Sequence, residues 1–242
     1  MKRILKITAA AMAIAAMLTA CGPETDKKDE YGYNIDMEKY QNAISTTDKA
    51  YLLLANKKTI LGSNYVPQSL ADLPSDLTLY GKDIQLESTV ALAAEALVRE
   101  LRACGYEDIF ITSGYRSYEY QKGLFNTYLG NEMAAHPDWT QKQCEEQVLT
   151  YSARPGTSEH QTGLCLDLIS DTHISLDETF AQNPAYAWLM ENAHQFGFIL
   201  RYPADKTDIT GYAYEPWHYR FVGVKAATEI WEQGLTLEEY LD

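Results

Sequence analysis

Apolar residues fall along this chain in short blocks divided by Gly, Pro and polar stretches. After Ser88, the residues Leu92, Leu97 and Leu101 recur at helical spacing; Ser88 is placed to cap a helix running to Cys104 and Gly105 to stop it. Asp108-Ile109-Phe110-Ile111-Thr112 is a compact apolar run and predicts a core strand, out of which Ser113-Gly114-Tyr115-Arg116 turns. Ser117 then starts a helix that Gly130 ends, and a further helix covers Thr140 to Tyr151. Arg154-Pro155-Gly156-Thr157 interrupts both regular patterns and predicts a loop. Leu164 to Ile169, Phe198 to Tyr202 and Trp217 to Val222 predict strands. Asn183-Pro184 opens a helix closed by Gly197. Val224–Glu232 and Leu237–Leu241 predict closing helices, the last with a capping box of Thr236 and Glu239. Ahead of these, Ala50 to Ala55 suits a buried strand and Asn64-Tyr65-Val66-Pro67 a turn. Helices flank a few strands without strict alternation, which is the pattern of an α+β fold.

The N-terminus follows different rules. Lys2, Arg3 and Lys6 precede an Ala-rich apolar run from Ile7 to Ala20, too short and small-sided for a membrane span, so residues 1–20 read as an export signal. Leu18-Thr19-Ala20-Cys21 resembles the bacterial lipobox, making Cys21 the expected site of lipid attachment; a plain secretory signal with a chance Cys is the alternative. Residues 21–45 are polar and charged and read as a flexible tether, leaving 46–242 as a single domain. The expected location is the extracytoplasmic face of a bacterial membrane, anchored by lipid and not spanning it.

Charge narrows the partners. Removing residues 1–20 takes away three basic residues and no acidic ones, leaving 17 Lys and Arg against 34 Asp and Glu. Such a surface is a poor match for nucleic acid or anionic lipid, so an anionic ligand must be caught by a local Arg. Beyond Cys21, Cys104, Cys144 and Cys165 remain, and a Cys104–Cys144 disulfide is open to an exported chain. Cys165 reads as a small buried residue beside Asp167, with metal ligation as the alternative.

The candidate chemistry lies in Ser158-Glu159-His160-Gln161-Thr162-Gly163-Leu164-Cys165-Leu166-Asp167 and, much later, Glu215-Pro216-Trp217-His218. These supply two imidazoles, a ligand carboxylate and a spare carboxylate, the inventory of a catalytic zinc site with one position open for water. Gly163 permits a tight approach between the loop of His160 and the strand of Asp167. His136, His173 and His194 have no ligand partner at meaningful spacing and read as ordinary histidines. Trp217 and Tyr219 flank His218 and either line a pocket or pack the strand.

The pattern Ser-x-His-x-x-Gly-x-x-x-Asp followed by Glu-x-x-His resembles the zinc D,D-carboxypeptidases of the VanY type, and the related L,D-carboxypeptidases and D-Ala-D-Ala dipeptidases. Leu53–Lys57, Tyr65–Pro67, Ser113–Ser117 and Arg154–His160 are similar to that family's pattern as well, so the likeness runs from about Tyr51 to Trp231. The main departure is Cys165, where the family commonly has Ala. The resemblance implies a Hedgehog/D,D-peptidase-like fold, a small antiparallel sheet with a zinc site at it. It implies one Zn2+ per chain held by His160, Asp167 and His218, with Glu215 as general base and then general acid. Arg116, Gln121 and Ser158 would face the substrate, Arg116 with a catalytic share. The expected activity is removal of the C-terminal D-alanine from peptidoglycan stem peptides, D,D- or L,D-. A peptidoglycan endopeptidase and a catalytically silent wall-binding lipoprotein are the other readings.

Overall fold

The computed structural model describes Lys28 and residues 32–242. The expected signal segment, Cys21 and the start of the tether lie outside the described residues. The chain enters through α1 (Gln41–Ile44), pairs β1 (Leu70–Asp72) with β2 (Gln85–Glu87), and runs directly into the long helix α2 (Ser88–Ala103). A second sheet takes β3 (Ile109–Ser113), β4 (Cys165–Ser170), β5 (Phe198–Leu200) and β6 (His218–Phe221) in the spatial order β3-β4-β6-β5, every pair antiparallel. Helices α3 (Tyr118–Ala135) and α4 (Gln141–Val148) lie between β3 and β4, and α5 (Pro184–Asn192) precedes β5. The short α6 (Thr207–Thr210) separates β5 from β6, and α7 (Val224–Gln233) and α8 (Leu237–Leu241) end the chain. The fold is α+β.

Strand periodicity divides the sheet into two faces with different jobs. Leu166 and Leu168 of β4, with Tyr219 and Phe221 of β6, enter the main core beside Val90, Ala94, Leu97 and Leu101 of α2. Each such fully buried leucine contributes about 1.5–3 kcal/mol. The alternate positions, Cys165 and Asp167 on β4 and His218 and Arg220 on β6, turn to the other face. The register sets Asp167 opposite His218 and Cys165 opposite Arg220. A slip of one residue would send the polar set into the apolar core, so hydrophobic burial fixes the placement of the chemistry.

Several local expectations are corrected. Residues 50–55 form no strand: Asp48 accepts from the Ala50 amide and starts a 3-10 turn over Lys49–Leu52. The carbonyls of Tyr51 and Leu53 are satisfied by Arg220, at 3.0 and 2.6 Å, where a strand would have used a neighbour. Glu87, not Ser88, caps α2, accepting from the amides of Thr89 and Val90. Leu92 lies on the exposed side of that helix. Helix α3 continues past Gly130 to Ala135 because it packs against α4, which outweighs the roughly 1 kcal/mol cost of an interior glycine. The expected tether is bound down well before residue 45. The Asn34 and Ile35 amides donate to the Glu100 carboxylate at 2.9 and 3.1 Å, and Met37, Tyr40 and Ile44 join the core. No disulfide joins Cys104 to Cys144; the Cys104 sulfur accepts from Asn34 Nδ2 at 3.4 Å and Cys144 is buried. Among the described residues no helix is long and apolar enough to cross a membrane.

Candidate active site

His160 sits in a single 3-10 turn, Glu159–Thr162, that ends in the left-handed backbone of Gly163. A Cβ at Gly163 would come within 3.1 Å of the Glu87 amide nitrogen and 3.2 Å of Pro67 Cγ, so that position needs glycine both for its φ of 68° and for space. The turn is tied to the N-terminal loops through Gln161 Nε2, which donates to the carbonyls of Gly62 and Tyr65. The His160 ring is oriented by its Nδ1, which donates to the Gly114 carbonyl at 2.7 Å and turns Nε2 toward Asp167.

That Nε2 stands 3.3 Å from Asp167 Oδ2, and His218 Nδ1 stands 3.1 Å from Asp167 Oδ1. The two imidazole rings meet edge to face with centroids 5.0 Å apart. Tetrahedral zinc with N and O ligands at about 2.0–2.1 Å has donor atoms separated by about 3.3–3.4 Å. Each spacing is that of a pair of zinc donors, one through each oxygen of Asp167, and the donor nitrogens of His160 and His218 lie within 4.8 Å of one another. Asp167 Oδ1 adds to the fit, being buried with no hydrogen-bond partner although His218 Nδ1 is so near. His160, Asp167 and His218 thus converge as the sequence pattern required, and the Cys165 thiol lies close by on the same strand face.

Electrostatics bind this cluster tightly. Burial alone would raise the Asp167 carboxyl, but the two imidazoles outweigh it and hold the group well below the ordinary carboxylate range. Burial and Arg116 oppose protonation of His160, yet Cys165 and Asp167 push it up to about 9. Burial raises the Cys165 thiol and the two imidazoles overcome it, giving about 7. Glu215 behaves oppositely to Asp167. Its carboxylate reaches His218 Nδ1 at 3.5 Å, and burial pushes its pKa up despite the imidazole. A raised carboxyl beside a ligand set is suited to carrying a proton. Its backbone amide donates to the Tyr202 carbonyl at 3.1 Å and its carbonyl accepts from the His218 amide at 3.1 Å. This closed turn is the bend needed to bring Glu215 and His218 to one place.

The cluster opens into a cleft of about 440 Å³. Arg116, Gln121 and Ser158 all line it, as does Trp217, whereas Tyr219 is core. Arg116 leaves the β3 turn with its amide donating to the His160 carbonyl at 3.0 Å, so its position is locked to the histidine turn. Its Nε is buried without a partner, as is Gln121 Oε1, while Gln121 Nε2 is fixed to the Ala153 carbonyl at 2.8 Å. One donor and one acceptor thus stay unspent beside the cleft. His136, His173 and His194 stay outside the cluster: His136 stacks on Trp139, His194 on Trp231, and Thr179 and Asp177 hold His173.

The residues that sequence reasoning missed lie beneath the site. Glu159, fully buried, places Oε2 3.5 Å from His218 Nε2, the nitrogen turned away from Asp167. Its Oε1 accepts from Arg201 Nε and Arg220 Nη1, each at 2.7 Å. Arg201 continues as a bidentate pair to Glu238 of α8, at 2.7 and 2.8 Å. Burial disfavours the Glu159 charge, but the two guanidiniums win and hold its pKa far below the ordinary range. Glu159 is thus a permanent anion that faces His218 Nε2, and Glu159 Oε2 and His218 Nε2 are both buried without a closed hydrogen bond. Two arginines set within apolar strands, Ile199-Leu200-Arg201 and Tyr219-Arg220-Phe221, were the available signal.

Comparison with known proteins follows the same lines. The sequence model of the VanY family, described as D-alanyl-D-alanine carboxypeptidase, matches residues 83–224. A D-alanyl-D-alanine carboxypeptidase of Enterococcus faecalis (strain ATCC 700802 / V583) is 39% identical over 191 residues, 79% of this chain and 65% of that protein. The chain thus spans about two thirds of the length of such curated relatives. Among solved structures, the LdcB LD-carboxypeptidase superposes with a TM-score of 0.68 at 36% identity, covering 81% of this chain and 88% of the other. A mutant of the vancomycin resistance D,D-pentapeptidase VanY, in complex with Zn(II), superposes at 0.66 with 37% identity, covering 80% and 99%.

Proposed function

The chain belongs to the VanY family of D-alanyl-D-alanine carboxypeptidases, and on that premise we propose that it is a zinc carboxypeptidase removing the C-terminal D-alanine from peptidoglycan stem peptides. The carrying observation is the convergence of His160, Asp167 and His218 around one point, with Glu215 beside them and Arg116 across the same cleft.

His160 Nε2, His218 Nδ1 and the Asp167 carboxylate would hold the ion. When bound, zinc supplies a Lewis acid and brings the pKa of a water near 7. Glu215 takes the proton of the attacking water at its carboxylate and later gives it to the departing amine of D-alanine. Arg116 offers its guanidinium fork to an anionic oxygen, either the developing oxyanion or the terminal carboxylate that an exopeptidase must recognise. Gln121 Oε1 accepts from a substrate N–H, and Ser158 borders the same space. The Gly114 carbonyl keeps the proton of His160 on Nδ1, and the Glu159 anion 3.5 Å from His218 Nε2 would favour a proton there once zinc is bound at Nδ1.

A silent wall-binding role leaves Glu215 without a purpose, because a structural metal site needs no spare base. An endopeptidase would cut stems whose terminal carboxylate is blocked. Mass spectrometry of products from penta- and tetrapeptide stems, with and without a chelator, tests the reading. Chelator-sensitive loss of one alanine from the free pentapeptide is expected. Cleavage that persists after metal removal, or that prefers an amidated C-terminus, overturns it. Loss of alanine from the tetrapeptide would place the enzyme with L,D-carboxypeptidases such as LdcB.

The basic and apolar N-terminus ending in Leu18-Thr19-Ala20-Cys21 supports export and lipidation at Cys21. The enzyme would then meet its substrate at the outer face of the cell membrane. Fractionation of cells expressing Cys21→Ala tests this; a variant that stays in the membrane as the parent does refutes it.

A further inference from the structure

Helix α3 runs for 18 residues and buries only Gln121 and Phe125. A helix that gives so little to the core stands out as a ridge, and beyond the cleft that ridge is aromatic. Leu124, Tyr128 and Tyr151 line the same cleft as the His160–Asp167–His218 cluster. From Tyr128 a continuous row of contacts leads outward to the turn between α3 and α4. The Tyr128 and Tyr151 rings meet edge to face with centroids 5.4 Å apart, and Tyr151 Oη donates to Glu132 Oε1 at 2.8 Å. Glu132 Oε2 lies 3.6 Å from His136 Nε2, and the His136 ring stacks on Trp139 at 3.8 Å. Tyr151 is 47% exposed and Trp139 40%. Rings this large are ordinarily covered; here each is held still by a neighbour while nearly half of it meets solvent.

Resting on the reading of the cleft as that of a stem-peptide carboxypeptidase, we propose that the row of Tyr128, Tyr151, Glu132 and Trp139 binds the sugars of the glycan strand that carries the stem. Reach allows it. Gln121, beside the cluster, and Tyr128 lie two turns apart on α3, about 10 Å. A five-residue stem spans at most about 16–18 Å, so the sugar at its head can rest on the row while its tail is at the cluster. Chemistry selects a sugar over other partners. A pyranose face carries weakly positive C–H groups, which suit the negative face of an aromatic ring, and its edge carries hydroxyls, which suit a carboxylate acceptor. The row supplies these in alternation: rings, a carboxylate, a ring. Rigid aromatic side chains also lose little conformational entropy when covered. An apolar partner would cover the Glu132 carboxylate without pairing it, and the acidic balance of the chain opposes an anionic lipid.

The zinc-loaded full chain is assayed on the free stem pentapeptide and on the same pentapeptide carried by its disaccharide. The expected result is a KM about tenfold lower for the disaccharide form at similar kcat. Tyr151→Ala removes most of that advantage, and Tyr151→Phe, which keeps the ring, preserves it. A second arm needs no hydrolysis. Peptide-free glycan strands are titrated calorimetrically, and saturable binding by the parent is expected to weaken roughly threefold or more in Trp139→Ala. Equal KM values for the two substrates overturn the proposal, as does an advantage that survives in Tyr151→Ala. Strands that do not bind the parent, or that bind Trp139→Ala equally well, also overturn it. In each of these cases the carboxypeptidase reading stands on cleavage of the free pentapeptide. If the zinc-loaded parent cleaves neither substrate, that reading falls, and the glycan-strand titration alone decides the sugar surface.

Discussion

Replacing Glu159 by Gln alters one atom and inverts a hydrogen-bond polarity at the base of the site. The carboxylate accepts from Arg201 Nε and Arg220 Nη1 at 2.7 Å through Oε1 and faces His218 Nε2 through Oε2 at 3.5 Å. In Glu159→Gln the amide oxygen stays with the two guanidiniums, so the amide nitrogen turns to His218. That nitrogen is a donor and requires Nε2 to accept, which moves the imidazole proton to Nδ1, the atom facing Asp167. The wrong tautomer cannot ligate through Nδ1. Zinc affinity is expected to fall about 100-fold, the upper end for loss of an orienting partner and roughly 2.7 kcal/mol. Arg220 also loses its buried counter-charge, while Arg201 keeps Glu238; the loss costs about 3 kcal/mol and lowers the Tm by roughly 6–12 °C. The stability loss depends on pH in a definite sense. The folded-state pKa of Glu159 is depressed, so its contribution is present above the unfolded value of about 4.3 and lost as pH falls through the folded one. The Tm gap between parent and variant should therefore be widest near pH 7 and narrow below about pH 4. Chelator-competition titration gives the zinc affinity and calorimetry of the metal-free proteins gives the Tm. A variant with lowered Tm but unchanged zinc affinity would leave Glu159 as structural glue only and refute its role toward His218.

Two further substitutions separate roles inside the cleft. Glu215→Gln should retain zinc at parental stoichiometry by elemental analysis and lose about 100- to 10,000-fold in kcat; loss of the metal would mean that Glu215 is a ligand. Arg116→Lys keeps the charge but not the fork, and kcat/KM on the pentapeptide should fall roughly 10- to 100-fold; an unchanged value would remove Arg116 from substrate recognition.

The sequence carried the strand and helix order well wherever burial is one-sided and periodic, as in β4 and β6, and wherever caps are local, as at Thr236 and Glu239. The structure also brings together His160, Asp167, His218 and Glu215, whose spacing is written within two short segments. What it did not carry depends on distant partners. Residues 50–55 look like a strand until Arg220, some 170 positions away, claims their carbonyls. Residues 34–44 look like tether until Glu100 gathers their amides. Glu159 sits directly before the first ligand, yet its purpose is legible only once Arg201 and Arg220 are seen to be buried around it.

Three carboxylates crowd this site, and their surroundings give each a different capacity. Asp167 is flanked by two imidazoles and stays ionised among lone pairs directed at a shared cation position. Glu159 is equally ionised, but guanidiniums occupy one of its oxygens, and the other faces the back of the His218 ring at 3.5 Å, away from Asp167. Glu215 has no arginine clamp; burial outweighs His218 and raises its pKa, which leaves it able to accept a proton and release it again. Exchanging these environments would exchange the roles: an arginine beside Glu215 would turn a base into an inert anion. Removing the arginines from Glu159 would free a second oxygen ligand behind His218. Arg201, just past β5, and Arg220 of β6 thus do more than hold strands together. They hold Glu159 as an anion, while Glu215, away from them, keeps a pKa raised by burial.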